Sequence, residues 1–452
     1  MFQRKSLQNL KQWYKDPKRK PLILRGARQV GKSSLIHLFC QEKSLNLIEV
    51  NFESQSIESL KKETIEINQV IRDIELLIDR KLNPEKDLIF FDEIQKSPQG
   101  LLSLRYFYEK KPQLAIIAAG SLLDFLLHDT ELSFPVGRVE FLYIGPVSFS
   151  EFLFALNKET ILEEYHKKLS SISETGHRML LELYRVYSIV GGLPEAVQTY
   201  IERQDFFKVR KIHYSILQTY KADFLKYAKK HEIFRCDTIF NYVPAHLGQK
   251  VKYVEIDPHE KSRDLRQAIQ TLLYAKVLMA SYHTNATGIP LSAFKDETIF
   301  KLYFLDIGLS LTHMEEEFQN ILHGDSILSG AMAEQYINQH LSYLNPEQEP
   351  ELFYWLRDKS SSKAELDIIY SKGNQIIPIE VKASKMSQFK SLNVFMAEHK
   401  KIKKAVLFSA EPYKTIQQKG RVVLKDTTLS FQYILYRLPL WAVEKIDEII
   451  EL

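Results

Sequence analysis

Short apolar runs alternate with longer helical patterns over the first 150 residues of the chain. The runs are PLILRG, LNLIEVNF, DLIFFDE and QLAIIAAGS. Between them, apolar residues recur every three or four positions, as they do on one face of a helix. Strands that alternate with helices are typical of a parallel sheet covered by helices. We therefore predict an α/β domain over residues 1–150.

The pattern becomes helical over residues 151–230, which we interpret as a small helical lid. Residues 231–325 contain short helical patterns followed by the strand-like run TIFKLYFLDIG, an order that suits a winged-helix segment. Residues 326–452 begin with the helical AMAEQYINQHLSYL and continue with strand-like runs. This last stretch is predicted to form a second α/β domain with its own core.

Length and composition agree with a multidomain globular protein. The 452 residues exceed what one compact core usually contains. An apolar fraction of 45% with 26% charged residues is ordinary for such proteins, and a net charge of +4 does not require a nucleic-acid partner. The two cysteines, Cys40 and Cys236, are too few for a disulfide framework or a cysteine-based zinc site.

The sequence also bears on cellular location. No apolar run approaches the roughly 18 residues that a membrane-spanning helix requires. The basic and aromatic start, MFQRKSLQNLKQWYKDPKRK, lacks the apolar stretch of a secretory signal. We therefore expect a cytoplasmic protein that does not enter a membrane.

Residues 26–33, GARQVGKS, fit the pattern G-x-x-x-x-G-K-[ST] of a phosphate-binding loop, or P-loop. They follow an apolar strand-like run and precede the helical SSLIHLFCQEK, as such a loop requires. Gly26 and Gly31 allow successive N–H groups to point at phosphates, which Lys32 would also reach. The alternative is a glycine turn with an exposed lysine. The residues expected to bind ATP in this loop are Gly26, Ala27, Arg28, Gln29, Val30, Gly31, Lys32, Ser33 and Ser34.

Two acidic residues end the apolar run LIFFDE at residues 88–93. Ligands and catalytic groups of parallel sheets lie at the carboxyl ends of strands. Ser33 and Asp92 are therefore candidates for binding Mg²⁺, and Glu93 is the candidate base for the attacking water. Alone, these acids are equally compatible with a solvated strand end, but the P-loop favours the catalytic interpretation.

Two further residues have a possible role at this site. Ser121 ends the run QLAIIAAGS, where it is positioned to contact the γ-phosphate or to serve as a simple helix cap. Arg138 in FPVGRVE is a candidate arginine finger for the nucleotide of a neighbouring subunit, which implies a homo-oligomer. A surface salt bridge is the alternative for Arg138.

Carboxylates also cluster in the C-terminal strand-like runs. Alternation along AELDIIYS puts Glu365 and Asp367 on one face, and PIEVKAS similarly pairs Glu380 with Lys382. A hairpin that turns at residues 372–374 would set Glu365 opposite Glu380. Because carboxylates about 5 Å apart repel one another, this arrangement predicts a neutralising divalent cation.

Asp367 and Glu380 are the predicted ligands of Mg²⁺ or Mn²⁺, and Glu334 on the preceding helix is a further candidate. Lys382 would position water or stabilise the charge that develops on a phosphodiester. The alternative is a solvated strand face without catalytic chemistry.

These motifs resemble, in order, those of AAA-type ATPases, and specifically of a bacterial and archaeal branch. Members of the branch read GxRQVGKS, then hhhhDEIQ, a Gly-Ser strand end, a Gly-Arg pair and P-x-S-F-x-E-F. The matching segments here are GARQVGKS, LIFFDEIQ, Ala119-Gly120-Ser121, Gly137-Arg138 and GPVSFSEFL, followed by GGLPEAV and YFLDIGL. The resemblance covers nearly the whole chain.

The resemblance implies a P-loop ATPase core, a helical lid, a winged-helix segment and a C-terminal domain similar to the PD-(D/E)xK, or restriction-endonuclease-like, nucleases. Leu366 stands where those nucleases often have proline, a difference that affects no predicted metal ligand. Folds of this kind also serve purely as DNA-binding platforms, so the resemblance does not establish cleavage.

We therefore expect an ATPase that couples nucleotide state to DNA binding, with metal-dependent DNA cleavage as an extension. The competing hypothesis is an ATP-controlled switch that binds DNA or protein without cleaving, and a small-molecule kinase is a weaker third. The basic segments YKDPKRK, KYAKKHE and AEHKKIKKA, and the helical region of Lys261, Arg263 and Arg266, are compatible with phosphate contacts or with solvated surfaces.

Overall fold

Each apolar run predicted as a strand in residues 20–150 is a strand of one parallel sheet in the computed structural model. The sheet also has a fifth strand, β5, which the sequence analysis does not predict. The strand order is β2-β3-β4-β1-β5. The strands are β1 (Leu22–Arg25), β2 (Asn46–Asn51), β3 (Asp87–Asp92), β4 (Ala115–Ala119) and β5 (Glu140–Tyr143). The predicted parallel α/β sheet is therefore confirmed.

Among the described residues, the helices that accompany this sheet are α1 (Ser6–Lys15), α2 (Lys32–Lys43), α3 (Ile67–Leu77), α4 (Pro98–Lys110) and α5 (Leu123–Leu127). The structure describes residues 3–62, 64–121, 123–127, 137–228, 231–323, 329–359, 362–382, 389–424 and 427–450. It divides into two units, and the first comprises Met1–Val147, Tyr274–Lys276 and Asn345–Glu349. The second comprises Ser148–Leu273, Val277–Leu344 and Pro350–Leu452. The finer division into four domains stays a prediction.

Strand order determines which loops of the first unit are neighbours. Strand β4 lies between β1 and β3 and is parallel to both. The carboxyl ends of these three strands therefore meet at one edge of the sheet. At the far side of β1, edge strand β5 donates the Tyr143 N–H to the carbonyl oxygen of Pro346 at 2.7 Å.

The helical pattern predicted for residues 151–230 corresponds to a series of helices in the part of this range that the structure describes. They are α6 (Phe149–Ala155), α7 (Glu159–His166), α8 (Glu174–Val190), α9 (Pro194–Arg203) and α10 (Phe206–Tyr227). Helix α6 begins with a capping box, in which Ser148 and Glu151 satisfy each other's backbone N–H groups. The P-x-S-F-x-E-F motif thus has a structural role here. Among the described residues, no helix is long and apolar enough to cross a membrane.

The region predicted as a winged helix has the expected order of elements, but its strands belong to a larger sheet. Strands β6 and β7 are antiparallel, and β6 also pairs with β8 in the four-stranded order β7-β6-β8-β9. Its identity as a winged helix stays a prediction. The elements within residues 231–325 are α11 (Ile233–Ala245), α12 (Tyr253–Ile256), α13 (Ser262–Tyr274), β6 (Leu278–Thr284), β7 (Lys295–Phe304), α14 (Ile307–His313) and α15 (Phe318–His323). The predicted C-terminal domain, residues 326–452, begins with α16 (Ser329–Ser342), β8 (Leu352–Lys359) and β9 (Ser362–Leu366).

The remaining C-terminal elements form a mixed five-stranded sheet with the order β10-β11-β12-β14-β13. The elements are β10 (Ile368–Lys372), β11 (Gln375–Lys382), α17 (Lys390–Glu398), β12 (Lys404–Ser409), β13 (Lys414–Leu424), β14 (Thr427–Pro439) and α18 (Asp447–Ile450). Strand β11 is antiparallel to β10 and parallel to β12, and β12 is parallel to β14. The α/β character predicted for this region is present, whereas its nuclease-like identity stays a prediction.

The predicted register of the hairpin before Glu380 is wrong by two residues. Lys372 pairs with Gln375, so the turn contains only two residues, and Gly373 adopts a φ of +56° that suits such a turn. In addition, the run AELDIIYS does not form one strand. It bends at Asp367, and Glu365 lies on β9 opposite Leu356 rather than opposite Glu380.

The motifs GGLPEAV and YFLDIGL contact each other inside the second unit. The carboxylate of Asp306 is fully buried and accepts hydrogen bonds from the N–H of Gly192 at 2.6 Å and of Leu309 at 3.2 Å. A Cβ on Gly191 would lie 2.1 Å from an Asp306 oxygen, so no other residue fits at position 191 without rearrangement. Both motifs are therefore explained by packing.

We predict that Asp306→Ala destabilises the protein by about 2–4 kcal/mol, because it leaves buried N–H donors unpaired. Urea unfolding followed by circular dichroism measures this loss. Asp205→Ala is the matched control, since Asp205 caps α10 at a more exposed site and its loss should cost only about 1 kcal/mol. Equal losses in the two variants would contradict a special role for the buried carboxylate.

Candidate functional site

The loop between β1 and α2 has a backbone shape that depends on its two glycines. Gly31 adopts a left-handed conformation with φ +90° and directly precedes the first residue of α2. A Cβ on Gly26 would lie 2.2 Å from the carbonyl oxygen of Ile144. Arg4 supports the same loop by donating to the carbonyl oxygens of Val30 at 3.0 Å and Gly145 at 2.8 Å. Arg4 lies outside every motif of the sequence, so only the folded structure reveals this contact.

The Lys32 ammonium lies within the loop that it is predicted to serve. It donates to the carbonyl oxygens of Gly26 at 2.9 Å and Ala27 at 2.7 Å. Burial lowers the pKa of Lys32 to about 8, against the opposing effect of the carboxylates of Glu93 and Asp92. The side chain therefore stays mostly protonated at neutral pH and retains the charge that a triphosphate needs.

Ser33 and Asp92 meet at the carboxyl edge of the sheet. The Ser33 hydroxyl donates to the Asp92 carboxylate at 3.3 Å. Burial raises the pKa of Asp92, and the nearby charges of Glu93 and Glu49 add to this effect. A hydroxyl and a carboxylate this close fit the oxygen donor set of a Mg²⁺ ion, whose charge would relieve that repulsion.

The carboxylate of Glu93 is held by a neighbour that the sequence analysis does not assign. The Gln95 amide donates to the Glu93 carboxylate. A Cβ on Gly120 would lie 2.1 Å from the Gln95 amide oxygen, so this side chain passes directly over the end of β4. The Gln of the DEIQ motif and the Gly of the Gly-Ser strand end are thus parts of one contact.

Ser121 and Arg28 also lie beside each other. Ser121 is buried, and its hydroxyl accepts a hydrogen bond from the Arg28 Nε at 3.3 Å. Of the remaining predicted ATP-binding residues, Ala27 and Val30 are buried, whereas Gln29 and Ser34 are exposed. The P-loop, the β3 carboxylates and Ser121 all follow strands that end at one edge of the sheet.

Arg138 is exposed and forms an ion pair with Glu109 at 3.0 Å. Hydrogen bonds from Arg138 and Arg105 lower the pKa of Glu109. This contact corresponds to the surface salt bridge considered for Arg138. The arginine-finger role stays a prediction.

Behind the P-loop, the first unit contains an ion cluster that the sequence analysis does not predict. Arg25, the last residue of β1, contacts the carboxylate of Asp124 and donates to the Tyr143 hydroxyl at 2.7 Å and to Glu349 at 3.1 Å. Lys276 lies 3.4 Å from Asp124 and 3.5 Å from Glu349. Burial lowers the pKa of Lys276 to about 8. The only sequence signal is a charged residue, Arg25, at the end of an otherwise apolar strand.

In the second unit, the predicted C-terminal carboxylates surround a lysine that the sequence analysis overlooks. Lys301 on β7 is fully buried, and its ammonium lies 3.0 Å from Glu334 and 2.6 Å from Glu365. The Tyr303 hydroxyl donates to the same Glu334 oxygen. The structure thus corrects the inference that only a divalent cation could neutralise these acids, because an ammonium already does so.

Asp367 and Glu380 form a second acidic pair beside Lys301. The Asp367 carboxylate accepts the Val381 N–H at 2.7 Å, and Lys382 lies 2.7 Å from Glu380. Burial and the Asp367 charge raise the pKa of Glu380 to about 7, and burial also raises the pKa of Glu334 to about 7.

The metal-ligand predictions at this cluster have unequal support. Among the residues that the structure describes, no three His, Cys, Asp or Glu side chains form a group that could hold a metal ion. Glu334 fits poorly because Lys301 and Tyr303 share one of its oxygens. Asp367 and Glu380 fit better, since one oxygen of buried Glu380 has no hydrogen-bond partner among the described residues. Their metal-binding role stays a prediction.

Three family models match successive parts of the chain. Residues 18–153 match the family described as AAA domain. Residues 181–318 match the domain of unknown function DUF8612, and residues 329–431 match the domain of unknown function DUF4143. The AAA match spans the P-loop, both β3 acids and Ser121. The chain therefore contains an AAA-type P-loop domain, and the predicted class of its N-terminal part is confirmed.

A search of the curated proteins finds no match. Among solved structures, the chain is similar to the ORC1 protein of Aeropyrum pernix in complex with DNA, with 13% identity and a TM-score of 0.30. That alignment covers 71% of this chain and 94% of the other. A likeness this weak supports no conclusion about function.

We predict that Lys301→Met destabilises the protein by about 3–5 kcal/mol at pH 8, because it leaves buried carboxylates without their counter-charge. Carboxyls with raised pKa values in the folded state bind protons more readily there than in the unfolded chain. Their contribution to stability is therefore present at low pH and lost as pH rises through about 7. Urea unfolding at pH 6 and pH 8 should show the smaller loss at pH 6.

Two further variants complete this test. Lys295→Met removes a half-exposed lysine from the same strand and should cost under about 1 kcal/mol. Adding Glu334→Gln to Lys301→Met should recover part of the loss, since one unpaired charge disappears. No recovery, together with a pH-independent loss, would contradict the charge-pairing explanation.

Proposed function

We propose that this protein binds and hydrolyses ATP with Mg²⁺ in its AAA domain. The observation that carries the proposal is the contact between the Ser33 hydroxyl and the Asp92 carboxylate, beside a buried Lys32. In P-loop proteins these three groups hold the magnesium ion and the terminal phosphates. Ser33 and Asp92 would hold the Mg²⁺, which would supply positive charge to neutralise the phosphates.

Each protein group has a separate task in this proposal. Lys32 leaves the carbonyl oxygens of its own loop to contact the β- and γ-phosphates. Glu93 orients and deprotonates the attacking water, and Gln95 restricts the position of its carboxylate. Ser121, with Arg28 beside it, contacts the γ-phosphate from the neighbouring strand. Arg138 acts in trans if the chain assembles into a homo-oligomer.

We predict that Lys32→Ala abolishes nucleotide binding, whereas Glu93→Gln binds ATP and lowers turnover by at least about 100-fold, which matches the usual contribution of a general base. Calorimetry measures the first effect and phosphate release the second. Lys43→Ala, at the far end of α2, and Glu85→Gln, at an exposed loop, are the matched controls and should change neither quantity. Normal ATP hydrolysis by the Glu93→Gln variant would contradict the assignment of Glu93 as the general base.

We further propose that the nucleotide state controls DNA binding by the second unit. Helix α13 supports this idea because Lys261, just before the helix, and Arg263 and Arg266 in its first turns are exposed. On the same helix Leu265 and Ile269 are buried. A helix with one buried face and one basic, exposed face suits insertion into a major groove. The ion pair between Arg266 and Glu297 is solvent-exposed. Breaking it to free Arg266 for DNA therefore costs little free energy.

Metal-dependent DNA cleavage is a second candidate activity. The unpartnered oxygen of buried Glu380, beside Asp367 and Lys382, is the observation that favours it. The internal counter-charge of Lys301 favours the alternative, in which the cluster only stabilises a DNA- or protein-binding platform.

We predict that the variant Glu380→Gln/Lys382→Gln loses any plasmid nicking in Mg²⁺ or Mn²⁺ while its ATPase rate stays unchanged. The matched control is Lys372→Gln/Asp447→Asn, which removes a comparable but exposed ion pair. If the wild-type protein binds DNA in an ATP-dependent manner without nicking it, the non-cleaving switch is the correct function. Absence of both binding and nicking would refute the coupling to DNA.

A further inference from the structure

A pocket of about 780 Å³ opens in the second unit at the amino ends of the parallel strands β11 and β12. Its lining consists of residues 286–289 after β6, residues 374–377 at the β10–β11 turn and residues 398–404 between α17 and β12. Pockets of roughly 300–1,000 Å³ typically hold small organic ligands. The acidic cluster lies at the opposite end of β11, about 17 Å along the strand from Ile377 to Lys382.

The rim of this pocket is strongly basic. Its lysines are Lys400, Lys401, Lys403 and Lys404. Three of them, at positions 400, 401 and 403, have exposed side chains. Within the part of the chain that the structure describes, these three form no ion pair with a carboxylate. The fourth is half-buried and donates to the backbone carbonyl oxygens of Ile449 and Ile450 at 3.4 and 3.3 Å. The exposed ammonium groups therefore remain available to an anion.

The one carboxylate in the lining does not offset this charge. Glu398 accepts a hydrogen bond from Arg357 at 3.0 Å, so its own charge is already balanced. His399 is likewise engaged, because its Nε2 lies 3.0 Å from the carbonyl oxygen of Asn285 and its ring stacks on Phe395. The pocket consequently carries a net positive charge.

The interior of the pocket is apolar. Ala286 and Ile377 are buried at its floor, and Ile376 and Ile402 are half-buried beside them. Ile289 is 40% exposed at the mouth. A ligand that contacts both the basic rim and the apolar interior of the pocket has a compact anionic group and a flat or apolar body.

We infer that this pocket binds an organic phosphate of nucleotide size, supplied either as a free nucleotide or as the end of a nucleic-acid strand. A terminal phosphate concentrates up to two negative charges on one group, which matches ammonium groups placed within five consecutive residues. The base and sugar would then cover the isoleucines. An acidic peptide spreads its carboxylates along about 3.3 Å per residue and suits an elongated groove better than this pocket.

The test uses the full chain carrying Lys32→Ala, so that the P-loop contributes no nucleotide binding. The probe is a 5′-phosphorylated trinucleotide with a 3′ fluorophore, followed by anisotropy without ATP. Replacing the three exposed lysines together, as Lys400→Gln, Lys401→Gln and Lys403→Gln, should weaken binding by about tenfold or more. The matched control removes the same charge from β13, as Lys414→Gln, Lys419→Gln and Arg421→Gln, and should change affinity less than twofold. Thr287→Trp, at the exposed mouth, should weaken binding without changing charge.

Competitors identify the source of the phosphate. Displacement by adenosine monophosphate indicates a free nucleotide, whereas displacement only by the unlabelled phosphorylated trinucleotide indicates a strand end. Equal loss in both triple variants, stronger competition by an aspartate-rich peptide, or absence of probe binding would each overturn the inference. Because the assay excludes ATP and the P-loop, failure here leaves the proposed ATPase activity unaffected.

Discussion

The close approach of Gly26 to the carbonyl oxygen of Ile144 is the constraint on which the nucleotide-binding edge depends. It fixes the start of the P-loop against the chain that leaves β5, and only a residue without a side chain fits there. Lys32 then donates hydrogen bonds to carbonyl oxygens of the same loop, and Arg4 donates one to the carbonyl oxygen of Val30. Since phosphate recognition in such loops comes mainly from backbone groups, a rigid backbone path matters more here than any one side chain.

Sequence patterns locate the residues of this edge because those residues are close together along the chain. Eight consecutive residues form the P-loop, and two adjacent acids end a buried strand. What those patterns cannot supply is the strand order, which depends on packing between distant segments. The insertion of β4 between β1 and β3 explains why Gly120, which follows β4, lies against Gln95, which follows β3. Strand β5 is not predicted from the sequence, because it has only four residues and follows a stretch without clear hydrophobic periodicity.

The C-terminal cluster illustrates a different limit. Face alternation correctly suggests that acidic residues gather around β11. The hairpin register differs by two residues from the predicted one, however, and the bend at Asp367 places Glu365 on a strand of another sheet. The sequence pattern does not distinguish Lys301, because a single lysine at the start of the run KLYFLDIG resembles a solvent-exposed residue at the end of a strand. In the folded protein it is buried among carboxylates and balances them. Buried ion clusters of this kind are determined by tertiary contacts and leave little trace in local sequence.

The ion cluster behind the P-loop determines which parts of the chain an isolated AAA domain would need to include. Its charged residues come from β1, from α5 and from two short segments that are distant in sequence, near residues 276 and 349. A fragment excised at residue 153 would retain Arg25 and Asp124 but lose Lys276 and Glu349. It would also lose Pro346, whose carbonyl oxygen accepts the Tyr143 N–H at edge strand β5. The region that matches the AAA family, residues 18–153, therefore omits two of the four charged residues that form this ion cluster.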